Sequence, residues 1–380
     1  MTKDLRIHSI VEDSKKESYE LNYGPHHPST HGVLRLILTL VGEEITGCEP
    51  IIGYLHRGVE KIVEKKKFIS IIPYVDRLDY LSSLIMEHSY AIAIEKLNNI
   101  EVPIRARFIR TILDELTRIS SHLMSIGSMT YDLGCLSLFL YSLEEREKIM
   151  NIFDEITGAR MHQAYYVPGG VLSDLDQNSI KLIETFIKEF DKYHKAVQKL
   201  ALDNRIFRSR TKRIGTISKE LAMTSGISGI NLRASGIDYD IRNRQTYGVY
   251  DLLNFQSLVL QDGDSYARVY LRFLEIRQSA ELVSRGLSNL PSGQYSAMEF
   301  NSNIRVPPES TVYSPVESPR GEFGIHLITD KDGLHPHRMH FKAPSFGIIQ
   351  LIPKLVIGAK LADCTAILGS LDFLLGDCDR

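Results

Sequence analysis

Tryptophan is absent from the 380 residues, and cysteine is scarce: Cys48, Cys135, Cys364 and Cys378 are the whole supply. No two of the four stand as Cys-x-x-Cys, so neither a disulfide framework nor a local zinc or iron–sulfur motif is encoded, and any metal centre must belong to a partner. No run of about 18 uncharged apolar residues occurs, which leaves no candidate for a membrane-crossing helix. The opening Met-Thr-Lys-Asp-Leu-Arg lacks the basic-then-apolar order of a secretory signal, which predicts a chain made and kept inside a cell or organelle. Net charge is -2 with Lys and Arg scattered, so the clustered basic face of a nucleic-acid binder is missing too. No internal repeat or low-complexity linker interrupts the chain. The lack of tryptophan excludes nothing by itself.

What is present suffices for a large core, since 43% of the residues are apolar. The length allows about two or three domains, or one core with appendages. Residues 1–20 are polar and charged and suit a leading strand or an arm against a neighbour. The breaker-rich loop Tyr23-Gly-Pro-His-His-Pro-Ser-Thr-His-Gly32 then gives way to Leu34, Leu36, Leu38 and Leu40, which alternate as on a half-buried strand before Gly42-Glu43-Glu44 turns it back. His26, His27 and His31 invite three readings: a metal site, which lacks carboxylate or cysteine at ligand spacing, hydrogen-bonding groups in a stiff loop, or a proton donor.

Gly53-Tyr-Leu-His-Arg-Gly58 reads as a turn into a helix over Val59 to Lys67, whose charged run suits a solvated face or subunit contact. An apolar helical period covers Arg77 to Leu97, and Pro103 opens another helix running through Leu123. Further long amphipathic helices are predicted over Ile180 to Leu200 and Asp264 to Leu287, with Arg268, Arg272 and Arg277 spaced along the latter. Leu232 to Arg242 is loop-like and mixed in charge. From Ser310 the pattern changes to strands: Thr311 to Tyr313, a turn at Glu317 to Gly324, Ile325 to Thr329, then Pro336 to Lys342. Leu351 to Leu375 gives helical segments broken at Gly358 and Gly369. Helices of about 20 residues suit a bundle better than short crossovers.

Two i, i+3 pairs are placed where metal ligands of a Cys-x-x-Cys type would be: Asp79 with Ser82, and Leu374 with Asp377. Neither contains cysteine, and alone such a pair at a helix start is capping and solvation. Asp132, in the break Tyr131-Asp-Leu-Gly-Cys135, is a carboxylate among apolar neighbours and suits a cap for the following helix. His162 and Arg160 approach the loop Tyr165-Tyr-Val-Pro-Gly-Gly170.

In this order the segments resemble the D-type subunit family of NADH-quinone oxidoreductase (respiratory complex I), whose counterparts are subunit 7 in mitochondria and the H-type subunit in plastids. The resemblance runs from about Tyr23 to Arg380 and rests on Gly-Pro-His-His-Pro-Ser-Thr-His-Gly-Val-Leu-Arg-Leu (24–36), Gly-Tyr-Leu-His-Arg-Gly-Val-Glu-Lys (53–61), Asp-Arg-Leu-Asp-Tyr (76–80), Leu-Arg-Ala-Ser-Gly (232–236) and the terminal Gly-Asp-Cys-Asp-Arg. That family is similar in turn to the large subunit of nickel-iron hydrogenases, where two Cys-x-x-Cys pairs hold the metals. Asp79, Ser82, Leu374 and Asp377 match those positions, so the thiolates nickel prefers are not supplied and no metal is expected on this chain. A hydrogenase large subunit and a non-catalytic scaffold are the alternatives.

The resemblance implies an α+β fold, a long-helix bundle of the hydrogenase large-subunit type with a small antiparallel β-sheet built from N-terminal and late segments. It divides into a sheet region with the quinone-site loop (1–58), the bundle core (59–300), a β-rich region (301–348), and a C-terminal helical segment with a buried tail (349–380). It implies a peripheral membrane subunit on the cytoplasmic face of a bacterial inner membrane, or the matrix or stromal face in an organelle, which reduces quinone. His31 and Tyr80 match the residues that hydrogen-bond the two quinone oxygens, and Asp132 an acid linked to the histidine. His162 and Arg77 match residues beside the terminal 4Fe-4S cluster of the adjacent small subunit. Expected partners are that subunit (B type), a C-type subunit and the membrane arm, while NAD is handled by other subunits. Two positions depart from the family: Val167 stands for an arginine before the Gly-Gly turn, and Asp372-Phe373 replaces Asp-Pro.

Overall fold

A computed structural model describes residues 18–26, 33–245, 247–297 and 304–380. Strands β1 (Ser18–Tyr23), β2 (Arg35–Val41) and β3 (Glu44–Ile51) form an antiparallel sheet in that order. The leucine alternation has the expected effect: Leu34, Leu36, Leu38 and Leu40 are wholly buried. They pack on the late helices rather than on a second sheet.

The helices follow. Short ones, α1 (Val59–Val63), a 3-10 turn (Phe68–Ile71) and α2 (Ile72–Val75), precede the long α3 (Ser83–Asn98), α4 (Ile104–Asp132) and α5 (Leu136–Thr157). The expected helix over 59–67 therefore stops early. Phe68, Ile71 and Val75 must turn into the core, and Pro73, lacking an N–H, fits only the first turn of a new helix. The helix expected from Arg77 begins only at Ser83. Asp79 accepts from the Leu81 N–H at 3.2 Å, a side-chain turn that competes with helix over 76–82.

Two short strands, β4 (Tyr166–Val167) and β5 (Gly170–Val171), separate α5 from α6 (Gln177–Leu202), α7 (Arg205–Thr211), α8 (Lys219–Thr224), α9 (Gly229–Arg233), α10 (Ile241–Arg244) and α11 (Ser265–Ser288). A second three-stranded antiparallel sheet, β6 (Thr311–Ser318), β7 (Gly321–Thr329) and β8 (Pro336–Lys342), leads to α12 (Pro344–Val356), α13 (Leu361–Leu371) and α14 (Leu375–Asp379). The single sheet expected from N-terminal and late segments is thus two separate sheets. Early and late strands each complete a ladder locally, and a lone β-bridge from Glu44 to Lys360 links the early sheet to the late helices. The expected break at Gly369 is also absent. This glycine lies inside α13, where a Cβ would meet the Met129 side chain at 2.9 Å, so it serves close packing and the chain turns at Asp372 instead.

Helix α4 is central: α3, α5, α11 and α13 all pack on it. One face carries Ile109, Ile112, Leu116, Ile119 and Ile126 into an apolar cluster, while Arg110, Asp114, Glu115, Arg118 and His122 are equally buried on another. The polar face meets Arg233, Asp240, Arg242, Glu275 and Glu317 in a continuous ion-pair network. Removing one partner from such a network typically costs about 3–5 kcal/mol, because the other charge is left buried and unpaired. The segment 232–242, loop-like in sequence, is one wall of this network.

Candidate functional site

The turn at 76–82 and the last nine residues meet at one junction. Their backbones touch: a Cβ on Gly376 would lie 2.4 Å from the Leu78 carbonyl oxygen. The tight hairpin between β6 and β7 inserts Arg320 between them. Its Nη1 donates to Asp79 at 2.8 Å and to Ser121 at 3.3 Å, and its Nη2 donates to Asp372 at 3.2 Å. Asp372 also pairs with Arg272 of α11 at 3.7 Å. At the start of α12, Ser345 accepts from the Leu374 N–H and donates to Asp377, both at 3.0 Å.

The motif at 53–58 holds the far end of this tail. Asp379 accepts from the Gly53 and Leu55 N–H groups at 3.0 and 2.9 Å, and the His56 ring lies 2.6 Å from the Asp379 carbonyl oxygen. Arg57 donates to the carbonyls of Arg77 and Gly376. Arg380 pairs with Glu60, so the charged run after Gly58 is partly a clamp rather than a solvated face. Asp79, Ser82, Leu374 and Asp377 are therefore brought into one buried junction.

No thiolate enters it. Cys378 is adjacent, and burial pushes its thiol up to about 12. Among the described residues the side chains whose ligand atoms gather as a trio within 4.8 Å are Asp330, Asp332 and His335, in the β7–β8 connection, so Asp79, Asp372 and Asp377 form no such group. The electrostatics are those of ion pairs. Burial opposes the Arg320 charge, but Asp372, Asp79 and Asp377 outweigh it and hold the guanidinium above its ordinary range. Burial, then the charge of Asp79, push Asp377 up to about 7 against the Ser345 hydrogen bond and Arg320. Tyr80 is half-buried at the same junction. Burial raises its phenol, Arg320 opposes this, and Asp79 and Asp377 add to it, so at neutral pH the phenol is a neutral donor.

Arg77 bonds Asp76, and His162 lies within electrostatic reach of the same carboxylate. Arg77 donates from Nη1 to the Pro73 carbonyl at 2.6 Å and to Asp76 at 3.0 Å. Burial raises the Asp76 carboxyl, with Arg77 and then His162 opposing. Asp76 Oδ2 and His162 Nδ1 are buried and find no hydrogen-bond partner among the described residues. The loop bearing His162 has positive φ at His162 and Ala164, 57° and 46°. Glu87 pins it, accepting from the N–H groups of Ala164 and Tyr165 at 2.8 Å and of Tyr166 at 3.0 Å. Val167, the departure from the family arginine, is buried and gives its carbonyl to Arg110.

Asp132 is the last residue of α4, half-buried. It does not cap α5: Cys135 stands there without a side-chain capping bond, because α4 runs on through Asp132 and the Gly134 turn sets the next start. His31, like His27, lies outside the described residues, so its expected company with Asp132 and Tyr80 is a matter for proposal.

Sequence reasoning missed Arg320, Ser345, Arg272 and the clamp on Asp379. The i, i+4 spacing of Arg268 and Arg272 on an otherwise apolar helix was the available signal, since charges on a core face demand partners. For Arg320 the local pattern spelled only a turn.

Fold and site define a helix-bundle protein in which arginine–carboxylate pairs fill the central junction and leave a neutral tyrosine at its edge. The chain matches the family described as respiratory-chain NADH dehydrogenase, 49 Kd subunit, over residues 132–304 and 298–380. It is 42% identical to the first D-type subunit of NADH-quinone oxidoreductase from Chloroherpeton thalassium, with 100% of this chain and 91% of that protein covered. It is 41% identical to the D-type subunit of Wolbachia pipientis wMel, with 95% and 98% covered, and 42% identical to that of Ehrlichia chaffeensis, with 95% and 97% covered. The chain belongs to the family of the 49 kDa subunit of respiratory-chain NADH dehydrogenase. Among its described residues no helix is long and apolar enough to cross a membrane.

Proposed function

We propose that this chain forms the quinone-reducing site of a membrane-associated NADH:quinone oxidoreductase. The observation that carries the reading is the place of Tyr80, a neutral phenol at the edge of a buried arginine–carboxylate junction, in a chain whose relatives are named as D-type subunits of NADH-quinone oxidoreductase. Quinone is the substrate. Two electrons reach it through an iron–sulfur cluster held by the adjacent B-type subunit, and each quinone oxygen, made basic by reduction, takes a proton.

Tyr80 donates to one oxygen and His31 to the other, with Asp132 orienting His31 and helping to replace its proton. Arg77, bonded to Asp76, and His162 form the face toward the cluster, where positive charge and donated hydrogen bonds favour the reduced state. The chain works in contact with a C-type subunit and the membrane arm, at the cytoplasmic, matrix or stromal face of the membrane. NADH is oxidised elsewhere in the complex.

The test is Tyr80→Phe in membranes, with quinone reduction measured beside electron transfer from the same donor to a soluble acceptor that bypasses the quinone. A fall of about tenfold or more in quinone reduction, with bypass and assembly intact, is expected for losing a hydrogen bond made in the transition state. Unchanged quinone reduction would leave the chain a scaffold.

A further inference from the structure

Two carboxyls of α3 hold the loop between α5 and α6. Glu95 accepts from the Gly169 N–H at 2.8 Å and has a cation beside it, Arg110 at 2.6 Å. Glu87, about two turns earlier on the helix, is also buried but has no ion-pair partner among the described residues. Its hydrogen bonds come from three consecutive N–H groups, those of Ala164, Tyr165 and Tyr166. A buried carboxyl without a cation is costly, and an apolar side chain would fill the same space more cheaply if the loop had another shape.

The shape of the loop is what calls for the carboxyl. Successive N–H groups converge on one acceptor when the backbone between them leaves its ordinary regions, and φ is 57° at His162 and 46° at Ala164, where residues with a β-carbon are rare. The same turn carries polar atoms that the chain leaves unfinished. His162 Nδ1 and Gln163 Oε1 are buried with no hydrogen-bond partner among the described residues, and so is Asp76 Oδ2, within electrostatic reach of His162. Such atoms are few in native proteins, and on a half-buried residue like His162 they fit a surface that a neighbouring molecule completes.

We propose that Glu87 is a positioning residue for the electron-delivering side of the site, holding the turn at 162–164 so that the His162 imidazole faces the partner's iron–sulfur cluster. This rests on the reading of His162 as the residue beside that cluster. Glu87 is buried behind the loop and acts through it. Without its acceptor oxygens, residues 162 and 164 relax to negative φ, the side chains they carry point elsewhere, and the cluster loses a hydrogen bond or positive charge that favours its reduced state. Its potential then falls.

The experiment titrates the cluster's potential in the intact complex near neutrality, by electron paramagnetic resonance of samples poised at a series of potentials. Wild type is compared with Glu87→Gln, Glu87→Asp, His162→Leu and the double variant Glu87→Gln with His162→Leu. Glu87→Gln keeps the shape but turns an amide NH2 toward the N–H groups. It should move the reduction equilibrium about tenfold toward the oxidised cluster, which for one electron is a potential lower by about 59 mV. Glu87→Asp, one methylene short of the three N–H groups, should move it the same way by less. His162→Leu should move it at least as far as Glu87→Gln, and the double variant no further than His162→Leu, because both changes remove one interaction.

A wild-type potential in Glu87→Gln beside a lowered one in His162→Leu overturns the positioning role and leaves the reading of His162 standing. A Glu87→Gln shift that adds in full to that of His162→Leu overturns it too, since Glu87 then acts by its own field or by loosening the fold. If Glu87→Gln does not assemble, an unmoved potential in Glu87→Asp overturns the proposal equally. A wild-type potential in His162→Leu defeats the underlying reading, and the positioning role with it.

Discussion

Arg320 donates to Asp79 at 2.8 Å across 241 residues of sequence, and the same guanidinium reaches Asp372. One side chain thus ties the hairpin between β6 and β7 to both strands of the junction, the 76–82 turn and the C-terminal tail. The planar fork matters as much as the charge, because it serves two carboxylates in different directions.

A graded loss follows from this geometry. Arg320→Lys keeps the charge but can satisfy only part of the donor set, and should cost about 1–3 kcal/mol. Arg320→Met leaves Asp79, Asp372 and Asp377 facing Arg272 alone, and should cost about 3–5 kcal/mol, enough to deplete the subunit from the complex. Thermal inactivation and subunit content of the purified complex check both. An Arg320→Lys complex as stable as wild type would mean that the fork contributes nothing beyond its charge.

Much of the fold was legible from periodicity. The alternating leucines of 34–40 and the long apolar periods of α4, α6 and α11 mark buried faces whatever their partners, so local pattern suffices for them. The junction was legible only in half. The i, i+3 spacing picked out Asp79, Ser82, Leu374 and Asp377, and the motif at 53–58 was visible as a motif. Arg320 and Ser345 were not, because their roles come from contacts made across 241 and 32 residues and leave no local period. The same holds for 232–242: mixed charge reads only as a loop until Glu275 and Glu317 arrive from elsewhere to pair Arg233. Asp132 shows the opposite failure, a good capping residue by type that lies one turn too early to cap α5.

Glu87 gives the molecule a pH dependence of definite sign. It is fully buried, and burial pushes its carboxyl up to about 8 from 4.5, against the hydrogen bonds from Tyr166, Ala164 and Tyr165. The folded chain therefore holds a proton that the unfolded chain releases. Its contribution is fully present below about 4.5 and is lost as pH rises through about 8. Glu87→Gln, which cannot ionise, should flatten the stability–pH curve across this window, by at most a few kcal/mol. Unfolding midpoints of wild type and variant over the same pH series provide the measurement. Parallel curves would show that Glu87 does not titrate there.

Gly376 tests whether the junction depends on backbone contact itself. A Cβ at this position would stand 2.4 Å from the Leu78 carbonyl oxygen, and neither atom belongs to a side chain that can rotate away. Gly376→Ala must therefore push α14 off the 76–82 turn, at a cost of about 1–3 kcal/mol from overpacking. The displacement separates Asp377 and Leu374 from Ser345 and strains the Arg57 bond to the Gly376 carbonyl, while the clamp of Gly53 and Leu55 on Asp379 still holds the tail end. The expected result is a complex that assembles with bypass electron transfer intact but reduces quinone several-fold more slowly, since a misplacement of about 1 Å already costs roughly 10²-fold when it falls on reacting groups. Wild-type quinone reduction in Gly376→Ala would show that the tail can shift without moving the site, and would detach Tyr80 from the packing of the C-terminus.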